Sequence, residues 1–308
     1  MMRLHHAMLL LFVFMPSIVV AAPLDDLDLP IRDDGQKVDK SQETESVLDL
    51  NLLEDITGKS APRKTGPAVD AIQAFQSRDI DACMSHLRQA VAEDPSLPPP
   101  KLLLAGLHHK SGNLPAARRL LESVAAEDPT HPELYLTLAN IAIEQGRYAE
   151  ALLSFQRMEE LGPTDGWSDE MKRRLPMSIS LGRATVAERR GNWQQAQQQL
   201  AAVVRMAPQS SSLRDRWATA LLRAGREESA FDQFDIAYQQ DKSQNPPEVS
   251  MGVVNLLEGK VTSAESWYEK ALSNYPDDPR VNLEWAKALS FLDRASEANE
   301  HVQKAAAL

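Results

Sequence analysis

Cys83 and His86 stand three residues apart, a spacing that puts both on one face of a helix. A thiol beside an imidazole is what a thiol enzyme or a metal site would start from. Two donors do not close a metal site, however, and no third joins them. The seven histidines form no constellation. His5 and His6 lie in an apolar leader, adjacent His108 and His109 point in different directions on a helix, and His131 and His301 are isolated. The chain has no HExxH, CxxC, phosphate-cradling glycine loop or G-x-S-x-G elbow. A non-enzymatic protein without cofactor or metal is the expectation. A thiol or metal enzyme centred on Cys83 is the alternative of another class.

The elements that place Cys83 give it a plainer reading. Ser77–Pro95 reads SRDIDACMSHLRQAVAEDP, and Ser111–Pro129, 34 residues on, reads SGNLPAARRLLESVAAEDP. The beat continues through Arg78, Gly112, Gly146, Gly191, Gly225, Gly259 and Asp293, with separations of 34, 34, 45, 34, 34 and 34. A fixed period in this range marks a stacked repeat. Seven residues before each beat stand Ala71, Ala105, Ala139, Ala184, Ala218, Gly252 and Ala286; five after it stand Cys83, Ala117, Ala151, Ala196, Ala230, Ala264 and Ala298. Small side chains let two helices joined by a tight turn approach to about 8–10 Å. Cys83 fills an alanine slot, where a free thiol behaves as a small apolar group. Nine residues after the beat come the large partners, Leu87, Leu121, Phe155, Leu200, Phe234, Tyr268 and Val302. Glycine at the beat suits a left-handed helix end, and Pro95, Pro129, Pro163, Pro208 and Pro276 suit the stop of the second helix.

This pattern resembles the tetratricopeptide repeat (TPR) family, most closely in RYAEALLSFQRMEELGP (Arg147–Pro163) and SAESWYEKALSNYP (Ser263–Pro276). Arg78 and Asp293 in place of glycine, and Lys242 in place of proline, depart from the pattern. The resemblance implies an all-α, right-handed α-solenoid of about seven helix pairs over residues 64–308. The repeats fall near 64–97, 98–131, 132–165, 177–210, 211–244, 245–278 and 279–308, with an insertion at 166–176. Ser168-Asp169-Glu170 reads as a helix start, so the insertion predicts a lengthened first helix for the fourth repeat, broken or kinked at Pro176. Trp167 is either buried filler, the favoured reading, or a surface anchor. The resemblance also implies a concave face lined by the first helix of each pair, at positions six, three and two before the beat. Asn140, Glu144, Arg189 and Arg223 are then a polar middle, whose arginines would grip carboxylates or peptide carbonyls unless Arg189 pairs with Glu188 or Glu144. Val249, Val253, Leu256, Leu257 and Phe291 are an apolar patch. The family's clamp for chaperone tails needs a lysine four residues before its asparagine, and Leu136 stands there before Asn140.

The start of the chain carries the expectation of location. Arg3 precedes an apolar run, Ala7–Val20, followed by Ala21 and Ala22, the order of a cleaved signal peptide over residues 1–21. A retained anchor is the alternative. Without that leader the net charge moves from −11 to −12, which disfavours nucleic acid and anionic lipid. Residues 22–63 read as an acidic, mostly disordered arm, with a possible short helix at 46–56 that either folds on contact or caps the domain behind it. The expected function is a periplasmic protein–protein scaffold, holding partner peptides or helices in a groove during assembly of a cell-envelope complex. Cytochrome c maturation, pilus or secretion assembly and exopolysaccharide export are the settings suggested by resemblance. Autoinhibition by the arm is the alternative. Val302 on an uncapped last repeat is a candidate contact for a homo-oligomer.

Overall fold

Each pair of helices is built around the same turn, and the turn follows from one left-handed residue. The seven beat positions all have positive φ, from 60° at Asp293 to 79° at Gly225, including the non-glycine Arg78 at 64°. The amide one residue beyond each donates five residues back, as in Asn113 to His108 O at 2.8 Å and Lys260 to Asn255 O at 2.9 Å. The beat residue itself donates three back, as in Gly146 to Ile143 O at 3.0 Å. This is the two-bond closure that satisfies the orphan carbonyls of a helix end. It recurs at all seven turns, so every pair turns in the same way.

The computed structural model describes residues 66–308 apart from Ser96, Asp165, Gly166 and Ser168. The leader, the acidic arm and the possible helix at 46–56 lie outside the described residues. Among the described residues fourteen helices follow in seven pairs. They are α1 (Pro67–Gln76) and α2 (Ile80–Glu93), α3 (Pro100–Lys110) and α4 (Leu114–Glu127), α5 (Pro132–Glu144) and α6 (Tyr148–Leu161), then α7 (Asp169–Arg189) and α8 (Trp193–Met206). The remaining pairs are α9 (Ser211–Arg223) and α10 (Glu227–Gln240), α11 (Pro247–Leu257) and α12 (Val261–Asn274), and α13 (Pro279–Phe291) and α14 (Ala295–Ala307). Proline opens α1, α3, α5, α11 and α13, where its missing amide costs nothing and its φ is already helical. Asp79, Asn113 and Asn192 cap α2, α4 and α8 by accepting from the third amide along.

All fourteen small-residue slots are buried, Cys83 among them. The large partners Leu87, Leu121, Phe155, Leu200, Phe234 and Tyr268 lie in the core with them, whereas Val302 on α14 is 46% exposed. Gly252 replaces alanine for a visible reason. A Cβ there would sit 2.9 Å from the Tyr268 ring, so the bulkiest partner in the series is matched by the smallest slot.

The described residues divide into two compact units, residues 66–182 and 183–308, the division falling inside α7. In the first, α2 packs on α3, α4 on α5, and α3 on α5. In the second, α10 packs on α11, and α9, α11 and α13 touch in succession. Helix α7 has 21 residues and runs through Pro176 as one helix, so of the two expectations, a break or a kink, the break is absent. Pro176 is exposed, and having no amide it leaves the carbonyl four residues back without its helical donor. Trp167 is filler: it is buried, and its Nε1 donates to Glu133 Oε1 on α5 at 2.5 Å.

Candidate protein-binding face

The last residue of every odd-numbered helix occupies one structural position, two before the left-handed residue of its turn. In the first unit these are Gln76, Lys110 and Glu144; in the second they are Arg189, Arg223, Leu257 and Phe291. Because the turn closes identically each time, these side chains leave rigid helix ends in the same register. The position has no inherent chemistry. What occupies it, and which neighbours engage it, decides what it can bind.

In the first unit it is satisfied internally. His109 on α3 is buried and places Nε2 2.9 Å from Oε1 of Glu144 on α5. Glu144 is therefore a partner to a neighbouring helix, and Asn140, one turn earlier on α5, is half-buried.

In the second unit an arginine that the spacing rule did not select reorganises the site. Arg216 on α9 is 9% exposed, and its Nε donates to Glu188 Oε1 at 2.9 Å. Its Nη2 donates to the other Glu188 oxygen and, at 2.8 Å, to Thr185 Oγ1. This fork-on-carboxylate pair ties α9 to α7. Glu188 is thereby spoken for, and Arg189 beside it is exposed with no ion pair among the described residues. Glu188 does not pair with it. Arg223 is steered by two neighbours: its guanidinium lies 4.5 Å over the Trp193 ring. Its Nε is 3.3 Å from Glu258 Oε1, an ion pair outside hydrogen-bond geometry.

The apolar set divides. Val249 is fully buried and Leu256 nearly so, packed with Tyr268, Trp285 and Leu289, and Val253 is half-buried against the same cluster. These three are core and not surface patch, because α11 (PEVSMGVVNLL) is apolar nearly all round and buries most of its circumference. Leu257 and Phe291 do face out, 44% and 56% exposed.

Two sets of tetratricopeptide repeat family models match the chain, one over residues 74–127 and 108–166, the other over 181–246, more than half its length together. The chain belongs to the tetratricopeptide repeat family. It has the scaffold fold that this family uses for protein–protein interaction. Among solved structures, the TPR protein YrrB, described as having an unusual peptide-binding site, is 18% identical. That match covers 67% of this chain and 97% of YrrB, with a TM-score of 0.46. Yeast Tom70 is 19% identical over 70% of this chain and 42% of its own, with a TM-score of 0.47. PilW, a type IV pilus biogenesis factor, is 15% identical over 68% and 91%, with a TM-score of 0.44. No curated protein sequence matches the chain.

Cys83 fills a buried alanine slot of the repeat. Burial, and secondarily Asp79, push the Cys83 thiol up to about 11, so the thiolate is scarce at neutral pH.

Proposed function

We propose that this TPR protein is an exported, non-enzymatic scaffold that holds segments of partner proteins on the outward ends of its odd-numbered helices while a cell-envelope complex is assembled. The family supplies the scaffold. The leader-like run Ala7–Val20 supports export and hence a periplasmic site of action. The observation that carries the binding reading is the state of the second unit's helix ends. Arg189, Leu257 and Phe291 stand exposed at the same place on odd-numbered helices, while Arg216, Glu188, Leu256, Trp285 and Leu289 beside them are committed to the core or to each other. A side chain held rigidly and left without an internal partner is disposed to meet an external one.

The test has two parts. Osmotic-shock fractionation of cells expressing a C-terminally tagged chain should release a protein shortened by its leader. Affinity capture should retain a partner that is lost on Leu257→Asp and kept on Leu153→Asp, an exposed residue of α6. Leu256→Asp is unsuited to this purpose, since it would place a charge in the core. A full-length chain in the cytoplasmic fraction overturns export; capture untouched by Leu257→Asp overturns the binding face. The acidic arm is proposed to compete for that face, so deleting residues 22–60 raises partner affinity, and unchanged affinity ends that idea.

A further inference from the structure

The helix ends of the second unit differ in kind along the row, and the order is informative. Arg189 and Arg223 end α7 and α9, and Leu257 and Phe291 end α11 and α13. We propose that these four side chains form a two-part site for one class of partner, a peptide segment that presents carboxylates beside large apolar side chains. The site rests on the scaffold reading above and adds to it the chemistry of the segment held.

The cationic half follows from who neutralises whom. Glu188, the acid next to Arg189, has both oxygens on Arg216, so it cannot screen Arg189 at close range. Exposed Arg190 adds a second unit of charge at the same helix end. Arg223 has Glu258 nearby at 3.3 Å but not in hydrogen-bonding alignment, and Trp193 holds the guanidinium plane in place without consuming its donors. At Arg223 a partner carboxylate meets a guanidinium already held by Trp193, the situation in which a charged hydrogen bond gains most, and at Arg189 it meets an exposed guanidinium with no competing carboxylate among the described residues. The wider field agrees. From residue 183 onward acids outnumber bases by only two (17 against 15), whereas the whole chain carries −11. The second unit is therefore the part of the molecule that least repels an acidic ligand.

The apolar half follows from burial. Helices α11 and α13 put Val249, Leu256, Trp285 and Leu289 into the core, yet each ends on a large apolar side chain left in water. Because α11 and α13 touch, their axes lie about 8–10 Å apart. A segment in the polyproline II conformation advances about 3.1 Å per residue with three residues per turn, so apolar side chains three residues apart lie on one face at about the helix spacing and would meet Leu257 and Phe291 in turn. Carboxylates would lie to the side of α9 and α7.

A library of random peptides displayed on phage and panned against the purified chain tests the assignment. Synthetic probes then check its parts by fluorescence anisotropy: one peptide with aspartates at one end and leucines at every third position at the other, one with lysine for aspartate, and one with serine for leucine. Panning should enrich acidic peptides with spaced large apolar residues. The aspartate–leucine probe should bind about tenfold or more tighter than either control. Leu257→Asp and Phe291→Asp should each weaken it by a similar factor with the helical signal and melting unchanged, and Leu153→Asp should not. Arg189→Glu should reverse the order of the aspartate and lysine probes. Equal affinity for the two charges, or full affinity in Leu257→Asp, overturns the proposal. Enrichment of peptides of other chemistry that still depend on odd-helix ends overturns this site and leaves the scaffold standing. No enrichment overturns both.

Discussion

Gly182→Ala isolates the contact between successive helix pairs. Gly182 lies within α7, and a Cβ built on it would fall 2.0 Å from Cζ of Phe155, with Cε1 and Cε2 at 2.5 and 2.7 Å. Ordinary carbon contact is about 3.5–4.0 Å, so the ring must retreat by roughly 1.5 Å. It has little room to do so, because Phe155 on α6 is completely buried, with Ala151 and Met158 of the same helix in the core beside it. Two effects oppose each other. Alanine in a helix interior is favoured over glycine by about 1 kcal/mol, and overpacking a closed core costs about 1–3 kcal/mol. A contact this short belongs to the upper part of that range, about 2–3 kcal/mol, so sterics should win and leave the variant about 1–2 kcal/mol less stable. The assay is urea unfolding followed by far-UV circular dichroism, with Phe155→Leu made alone and in combination. Leucine removes the ring carbons nearest the new methyl, so the double variant should be more stable than the two single losses predict, by about 1 kcal/mol. A neutral or stabilised Gly182→Ala, or strictly additive losses, would refute the packing described between α6 and α7.

Other expectations follow from single residues. Arg78→Gly should stabilise the chain by up to about 1 kcal/mol in urea unfolding, since an L side chain at φ 64° is strained and the helix-end bonds are already in place. Arg216→Ala should cost about 3 kcal/mol by stranding Glu188, whereas replacing both by methionine should cost much less. Cys83→Ala should change stability by less than about 1 kcal/mol, and the native thiol should resist alkylation at pH 8 until the chain is unfolded. Burial, and secondarily Arg119, hold His108 below its ordinary value. The unfolded chain therefore binds this proton more readily, and stability should fall as pH drops below about 6.5. The drop should be smaller in His108→Asn, measured as unfolding midpoints from pH 7.5 to about 5.

Much of the fold was legible because its determinants are local and repeat. The left-handed residue, the small slots five after and seven before it, and the proline that follows each even-numbered helix up to α8 and again α12 sit at fixed offsets, and each has one physical reason. Even the departures were informative: Arg78 and Asp293 adopt the left-handed backbone that glycine takes elsewhere. Helix α7 was expected to be broken or kinked at Pro176; it is one continuous helix, with the proline on an exposed position. The site was less legible. Offsets say where a side chain leaves its helix, not which neighbour claims it. Glu188 and Thr185 are claimed by Arg216, 28 and 31 residues on, and Glu144 by His109, 35 residues back. The hint for Arg216 was faint: an arginine just before the apolar run that starts at Trp217 on α9, with an acid at the end of the preceding odd helix. Leu256 stands at a lining position, three before the beat, yet the rule places it on the surface of a helix buried on nearly every side; Val249, ten before the beat, is on no lining position and lies wholly in the core.

Site-specific photocrosslinking in cells tests the central claim most directly. A photoreactive residue at Leu257 or at Phe291 should yield a discrete crosslinked partner, and the same residue at Ile236, exposed on the even-numbered helix α10, should yield none. A partner captured from Ile236 and absent from Leu257 and Phe291 would contradict the account.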